Sequence, residues 1–182
     1  MSETSAYLAA DGYLPDLISE VGARLMATHG RLVIAEGPAE QIAWAANTWR
    51  EPQRIAIASI GDGASKLRAI QRSWALYAFD HRRRAALLVE KLPKVSGKPL
   101  AFPEPAPTAP LGSFTLIDPG TMLASAVCSS PFGNGEARFV EDKEGPPSRA
   151  YLKLWEALTI AGLRPMPGDR CLDLGSAPGC WT

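Results

Sequence analysis

Apolar residues along the first sixty positions recur at two periods, and the switching between them predicts a layered α/β chain. Residues 6–10 are a short apolar run closed by Asp11-Gly12, which reads as a strand and its turn. Between 16 and 27, Leu17, Ile18, Val21, Leu25 and Met26 fall at helical spacing, and His29-Gly30 closes that helix with Gly30 in left-handed geometry. Residues 31–35 are a β-branched strand broken by Gly37-Pro38, and 40–48 read as a second helix presenting Ile42, Ala45, Ala46 and Trp49. Ile55, Ile57 and Ile60 mark a third strand before a turn at Gly61-Asp62-Gly63. The predicted βαβα order implies a compact α/β layer of ferredoxin-like arrangement.

Further along, 64–72 has helical spacing, with Leu67 and Ile70 on one side and Lys66, Arg68 and Arg72 on others. Residues 73–79, with Trp74, Tyr77 and Phe79, are either a buried strand or a packed connection; 82–92 is a helix with Ala85, Leu88 and Val89 on its apolar side. Pro99, Pro103, Pro105, Pro107 and Pro110 make 99–110 an extended connector, a linker rather than a core, because each proline fixes φ and removes a donor. Segments 113–117 and 122–127 flank Asp118-Pro119-Gly120 and predict a hairpin that completes the N-terminal sheet. In the loop 129–135, Phe132 either anchors the loop or stacks on a base, and 141–145 is an acidic connector. A last helix spans 149–162, with Ser148 as its N-cap after Pro146-Pro147. It is followed by a short buried strand at 171–174 and a glycine turn. The expected division is 1–145, an N-terminal α/β region, and 146–182, the opening of a second domain.

Composition sets the class: 46% of residues are hydrophobic and 21% charged, a globular balance. The N-terminus lacks a basic signal region and no apolar run approaches the ~20 residues of a membrane span, so the cytoplasm is the expected compartment. Cys128, Cys171 and Cys180 show no CxxC pairing, and only His29 and His81 accompany them. Buried reduced thiols and no metal site are therefore expected. Net charge is zero, but its distribution is uneven: residues 1–65 carry 4 basic and 8 acidic side chains, 66–98 carry 9 and 2, and 99–182 carry 6 and 9. A local basic field of this kind suits a phosphate backbone, because each neutralised phosphate releases a counterion. Arg82, Arg83 and Arg84 crowd the first turn of their helix against its macrodipole, at a cost of ~0.3–1 kcal/mol each when exposed. Contact with RNA phosphates is one motive for that placement. Solvated arginines whose stems pack on apolar surface is the other.

The candidate chemistry lies in the final stretch, RCLDLGSAPGCWT. Glycine at the end of a parallel strand lets a ligand approach the backbone, and open α/β sheets bind ligands at that end. A dinucleotide requires G-x-G-x-x-G to cradle its pyrophosphate; here Gly175 and Gly179 are spaced G-x-x-x-G around Pro178. S-adenosylmethionine has no phosphate, and Asp173, Gly175, Ser176, Pro178, Gly179 and Trp181 offer the backbone approach, polar partners and apolar walls that its sulfonium calls for. A nicotinamide-dependent oxidoreductase is disfavoured by the missing phosphate glycines.

The string LDLGSAPGCWT resembles the first methyltransferase motif of the FtsJ-like RNA ribose 2′-O-methyltransferases, and PPSRAYLKLWEAL resembles the helix that precedes it in that family. More distantly, SSPFGNGEARF and the segment before it are similar to the RlmM-like branch, which acts on large-subunit (23S) ribosomal RNA and carries an N-terminal, THUMP-like RNA-binding region. Cys180 stands where that family usually has a second glycine. The resemblance implies a Rossmann-like methyltransferase domain beginning near 146, S-adenosylmethionine as cofactor and RNA as partner. It also implies a catalytic role for Lys153, the first member of a Lys-Asp-Lys-Glu tetrad. Spacing alone pairs Lys153 with Glu156 as a surface couple. A ribose hydroxyl is a poor nucleophile at neutral pH, so a lysine that orients it and helps take its proton is what the reaction needs. The other three tetrad members would lie beyond Thr182, which leads to the expectation of an incomplete methyltransferase that does not methylate RNA alone. The alternative is a stand-alone RNA-binding remnant.

Overall fold

The N-terminal apolar run becomes β1 (Thr4–Ala9), followed by α1 (Leu14–Val21), a 3-10 turn, β2 (Leu25–His29), β3 (Leu32–Glu36), β4 (Ala45–Arg50) and β5 (Gln53–Ala56). Then come α2 (Ile60–Ile70), β6 (Trp74–Leu76), α3 (Arg82–Val89), β7 (Gly112–Asp118), β8 (Thr121–Ser125), β9 (Val127–Cys128) and α4 (Tyr151–Ala161). These elements belong to a computed structural model that describes residues 3–142, 144–145 and 149–172. It divides into two compact units, Met1–Ser96 with Thr108–Glu136 and Gly97–Pro107 with Ala137–Thr182.

In the first unit a five-stranded antiparallel sheet, β2-β3-β1-β4-β9, and a four-stranded sheet, β5-β8-β7-β6, build a mixed α/β body. Period-two alternation decides what each face meets. Tyr7, Ala9, Val33 and Ala35 pack with Leu17 and Val21 of α1, whereas Ala6, Leu8, Leu32, Ile34 and Trp49 point the other way and meet Tyr77 and Leu123. The far face of the second sheet, Trp74, Phe114, Leu116, Met122 and Ala124, is covered by Ala64 and Leu67 of α2 and Ala85 and Leu88 of α3. The layers therefore run α1, first sheet, second sheet, α2 with α3. Each fully buried leucine in them contributes about 1.5–3 kcal/mol.

One antiparallel ribbon joins the two sheets. Trp49 faces Cys128 and Arg50 faces Val127 in the first, Gln53 faces Ala124 and Arg54 faces Leu123 in the second, and the register is unbroken between them. Where the ribbon passes from sheet to sheet, Glu51 takes a positive φ of 55° and the Ser125 hydroxyl donates to the Arg50 carbonyl.

Several expectations are corrected. The helix predicted over 16–27 stops at Val21, and Leu25–His29 is an edge strand; Gly30, at φ 60°, serves a hairpin turn instead of a helix end. Residues 40–48 form no helix: Ala45–Arg50 is a strand, because Asn47, Thr48 and Trp49 are poor helix formers and Trp49 is fully buried against the sheet. Gly61-Asp62-Gly63 lies inside α2, whose start is fixed by a capping box. The Ser59 hydroxyl accepts from the Asp62 amide at 3.1 Å and the Asp62 carboxylate from the Ala58 amide at 2.9 Å. The hairpin of β7 and β8 forms as predicted, but it is the centre of the second sheet and does not extend the first.

The proline-rich stretch is extended and mostly exposed, as a connector should be, but in the second unit two of its residues, Leu100 and Phe102, also pack. Leu100 bridges Phe139, with its amide donating to the Arg138 carbonyl and its carbonyl accepting from the Val140 amide, both at 2.8 Å. Phe102 then stacks on Trp155 of α4 at 4.7 Å and 6°. Prolines hold the chain extended at little entropic cost, and the apolar residues between them are thereby presented to the helix. Phe139 and Tyr151 close the cluster edge-on around Trp155. Cys171 and Leu172, expected in a buried strand, are exposed and carry no regular structure, because no strand among the described residues of this unit lies beside them.

Candidate nucleic-acid interface

The basic segment 66–98 becomes a surface through the pairing of α2 and α3. Both helices bury their small and aliphatic positions on the second sheet, and Gly63, where a side chain would press on Leu88 and Ile57, lets them come close. Beside them the Arg68 guanidinium donates to the Lys91 carbonyl at 2.7 Å, which ties the end of the α3 segment to α2. The two helices and the segments that follow them then carry Lys66, Arg68, Arg72, Arg82, Arg83, Lys91 and Lys94, all exposed. Lys66 is committed to Asp62 at 2.8 Å, an i, i+4 pair whose lysine, with the Ala58 amide, holds the Asp62 carboxyl below its ordinary range.

The three candidate arginines separate. Arg82 and Arg83 project into solvent and make no ion pair among the described residues. Arg84 is half-buried, with its Nε enclosed and without a hydrogen-bond partner, so its stem serves packing. No acidic residue stands in the first turn of α3 and no side chain caps it; His81, at the N-cap, has φ 46°. Unsatisfied amides and two free guanidinium groups thus share one end of the helix, an arrangement that draws an anion. Asp80 stays with His81, accepting from its amide at 2.7 Å, and Asp118 is bound by Gly120 and Thr121, which hold its carboxyl below the ordinary range.

Phe132 anchors its loop and cannot stack on a base, being 8% exposed. The loop is fixed by a residue whose role the sequence did not reveal. Asn47 is buried on β4, its side-chain oxygen accepts from the Ser130 amide at 3.1 Å, and the neighbouring Thr48 amide donates to the Ser129 hydroxyl at 2.8 Å. Gly135, at φ 78°, sits directly over the Ala46 carbonyl, leaving no space for a side chain.

In the second unit α4 presents Lys153 to solvent, on the side away from the Tyr151–Trp155 cluster. Glu156 is half-buried and makes no salt bridge with Lys153, so the surface couple expected from spacing is not formed; burial raises the Glu156 carboxyl above its ordinary range. The candidate cofactor residues Asp173, Gly175, Ser176, Pro178, Gly179 and Trp181, together with Cys180 and the N-cap candidate Ser148, lie outside the described residues. No helix among the described residues is long and apolar enough to cross a membrane. In comparisons with known proteins, the chain matches no family model and no curated protein.

Proposed function

We propose that this chain serves S-adenosylmethionine-dependent 2′-O-methylation of large-subunit (23S) ribosomal RNA in the cytoplasm. Its first unit, a ferredoxin- or THUMP-like region in this reading, docks the RNA, and its second opens a Rossmann-like cofactor domain. The observation that carries the RNA half is the α2–α3 pair, which with the segments after its helices carries seven exposed cations, and where Arg82 and Arg83 make no ion pair among the described residues at a helix N-terminus. The methyltransferase half rests on the motif LDLGSAPGCWT and on the helix before it, which holds Lys153 exposed and clear of Glu156.

The cofactor would supply an electrophilic methyl group. The donor set read from the sequence suits it: one carboxylate in Asp173, backbone approach at Gly175 and Gly179, apolar walls from Pro178 and Trp181, and no phosphate cradle. Lys153 would orient the ribose hydroxyl and stabilise the oxygen as its proton leaves, a contribution typical of positioned acid–base groups. An RNA-binding protein without catalysis is the second reading, favoured by the fact that the basic layer is complete within the first unit.

The test is RNA binding and cofactor binding together. Replacing Arg82, Arg83 and Arg84 by glutamine should weaken RNA binding about tenfold at low salt and flatten the salt dependence by about one unit of slope for each phosphate no longer neutralised. Calorimetric titration with S-adenosylmethionine then separates the readings. RNA binding without cofactor binding leaves only the non-catalytic one, and unchanged RNA affinity in the triple variant removes the α3 cluster.

A further inference from the structure

Charge and aromatic rings are sorted onto different layers of the first unit. On α2, α3 and the segments after them the exposed large apolar side chains are all aliphatic: Ile70 at 45%, Leu87 at 43%, Val95 at 41% and Val89 at 39%. Aromatic residues of the connecting segment are turned inward. Trp74 belongs to the core beneath the helices, Tyr77 and Phe79 to the core between the sheets, and Tyr77 is pinned there by accepting from the Arg31 amide at 2.6 Å. The exposed rings of this unit, Tyr13 and Trp44, lie on the α1 side and are already stacked on each other at 4.6 Å and 14°. Acidic groups surround that pair. Glu20 accepts from the Ala43 and Trp44 amides at 2.9 and 3.2 Å, and Asp11 and Asp16 flank the start of α1.

Single-stranded RNA is held by cations that track its backbone together with rings on which unpaired bases stack, both in one groove. Double-stranded RNA offers no free base faces; it is recognised through phosphates and through the sugars of its wide, shallow minor groove. A pair of helices that, with the segments after them, carries cations and aliphatic side chains, and whose one ring is the His81 imidazole, mostly covered and beside Asp80, matches the second demand better than the first. Resting on the RNA-docking reading above, we infer that the α2–α3 layer engages base-paired RNA, with Arg72, Arg82, Arg83 and Lys94 on phosphates and Ile70, Leu87 and Val89 against sugar surfaces. The duplex also carries twice the linear charge density of a single strand, so the same cations release more counterions on it.

The experiment compares a fluorescein-labelled RNA hairpin with an unstructured RNA of the same length, titrated with the 182-residue chain over a salt series. The hairpin should bind at least about tenfold more tightly and show the steeper salt dependence. Trp44→Ala should leave hairpin binding unchanged, while Arg72→Gln with Arg83→Gln should erase the preference. Equal or tighter binding of the unstructured RNA overturns the duplex assignment while the RNA reading stands. So does a loss of affinity in Trp44→Ala when circular dichroism shows the variant folded. Failure of both RNAs to bind at low salt overturns the RNA reading itself, and this assignment with it.

Discussion

The two units hold their candidate residues by opposite means. In the first, α2 and α3 rest on a sheet whose own far face is buried against a second sheet, so Arg82 and Arg83 stand on a helix backed by Phe114, Leu116 and Met122, none of them exposed to solvent. In the second, Lys153 rides on one helix steadied by a single aromatic cluster around Trp155, and Ile160, Leu163 and Met166 remain exposed. A deep core fixes a charged surface to within side-chain motion. A single four-ring cluster fixes a helix against its neighbour, and little beyond that.

The largest effect is expected in the loop of the first unit. Gly135→Ala places a methyl group against the Ala46 carbonyl at a positive φ, and we expect a loss of about 3 kcal/mol in urea unfolding of the first unit, with α4 unaffected. A Gly135→Ala variant as stable as the parent would show that this loop adjusts freely and that the first unit is less rigid than its packing implies. Trp155→Ala should cost about 2 kcal/mol, less than a fully buried tryptophan because its site is half-open, and should lower only the transition of the second unit. Loss of hairpin RNA binding in that folded variant would mean that the units are not independent. The smallest effect is expected at Glu156, where burial raises the carboxyl. Its folded form therefore favours the proton, and stability contributed below the ordinary glutamate range is lost as pH rises through the raised value. Glu156→Gln should melt higher than the parent at neutral pH and level with it in acid; a difference independent of pH would assign the effect to packing instead of charge.

Legibility followed the range of the interactions. Strand β1, the β7–β8 hairpin, α3 and α4 were readable because their signals, apolar runs, Asp-Pro-Gly turn chemistry and helical spacing, are local. The start of α2 was also written in the chain, as Ser59 and Asp62 three positions apart, but two glycines beside it read as a turn. Residues 40–48 misled because Ile42, Ala45, Ala46 and Trp49 read as one apolar helix face until the neighbouring strand β1 pairs along 45–50. Phe102 misled because a ring among prolines has no period to betray its partner. Lys153 could be singled out only through the motif it precedes, since its spacing pointed to a pairing with Glu156 that the burial of Glu156 does not favour.

By itself the sequence determined where charge accumulates, which side chains are apolar, and which short segments prefer extended or helical backbone, since each of these depends on neighbours a few residues away. Tertiary structure decided that one ribbon serves two sheets, that α2 and α3 turn a basic segment into a basic surface without an exposed Phe, Tyr or Trp, and that Phe102 stacks on Trp155. Those outcomes rest on burial and hydrogen bonding between residues far apart in the chain, for which no local pattern carries the information.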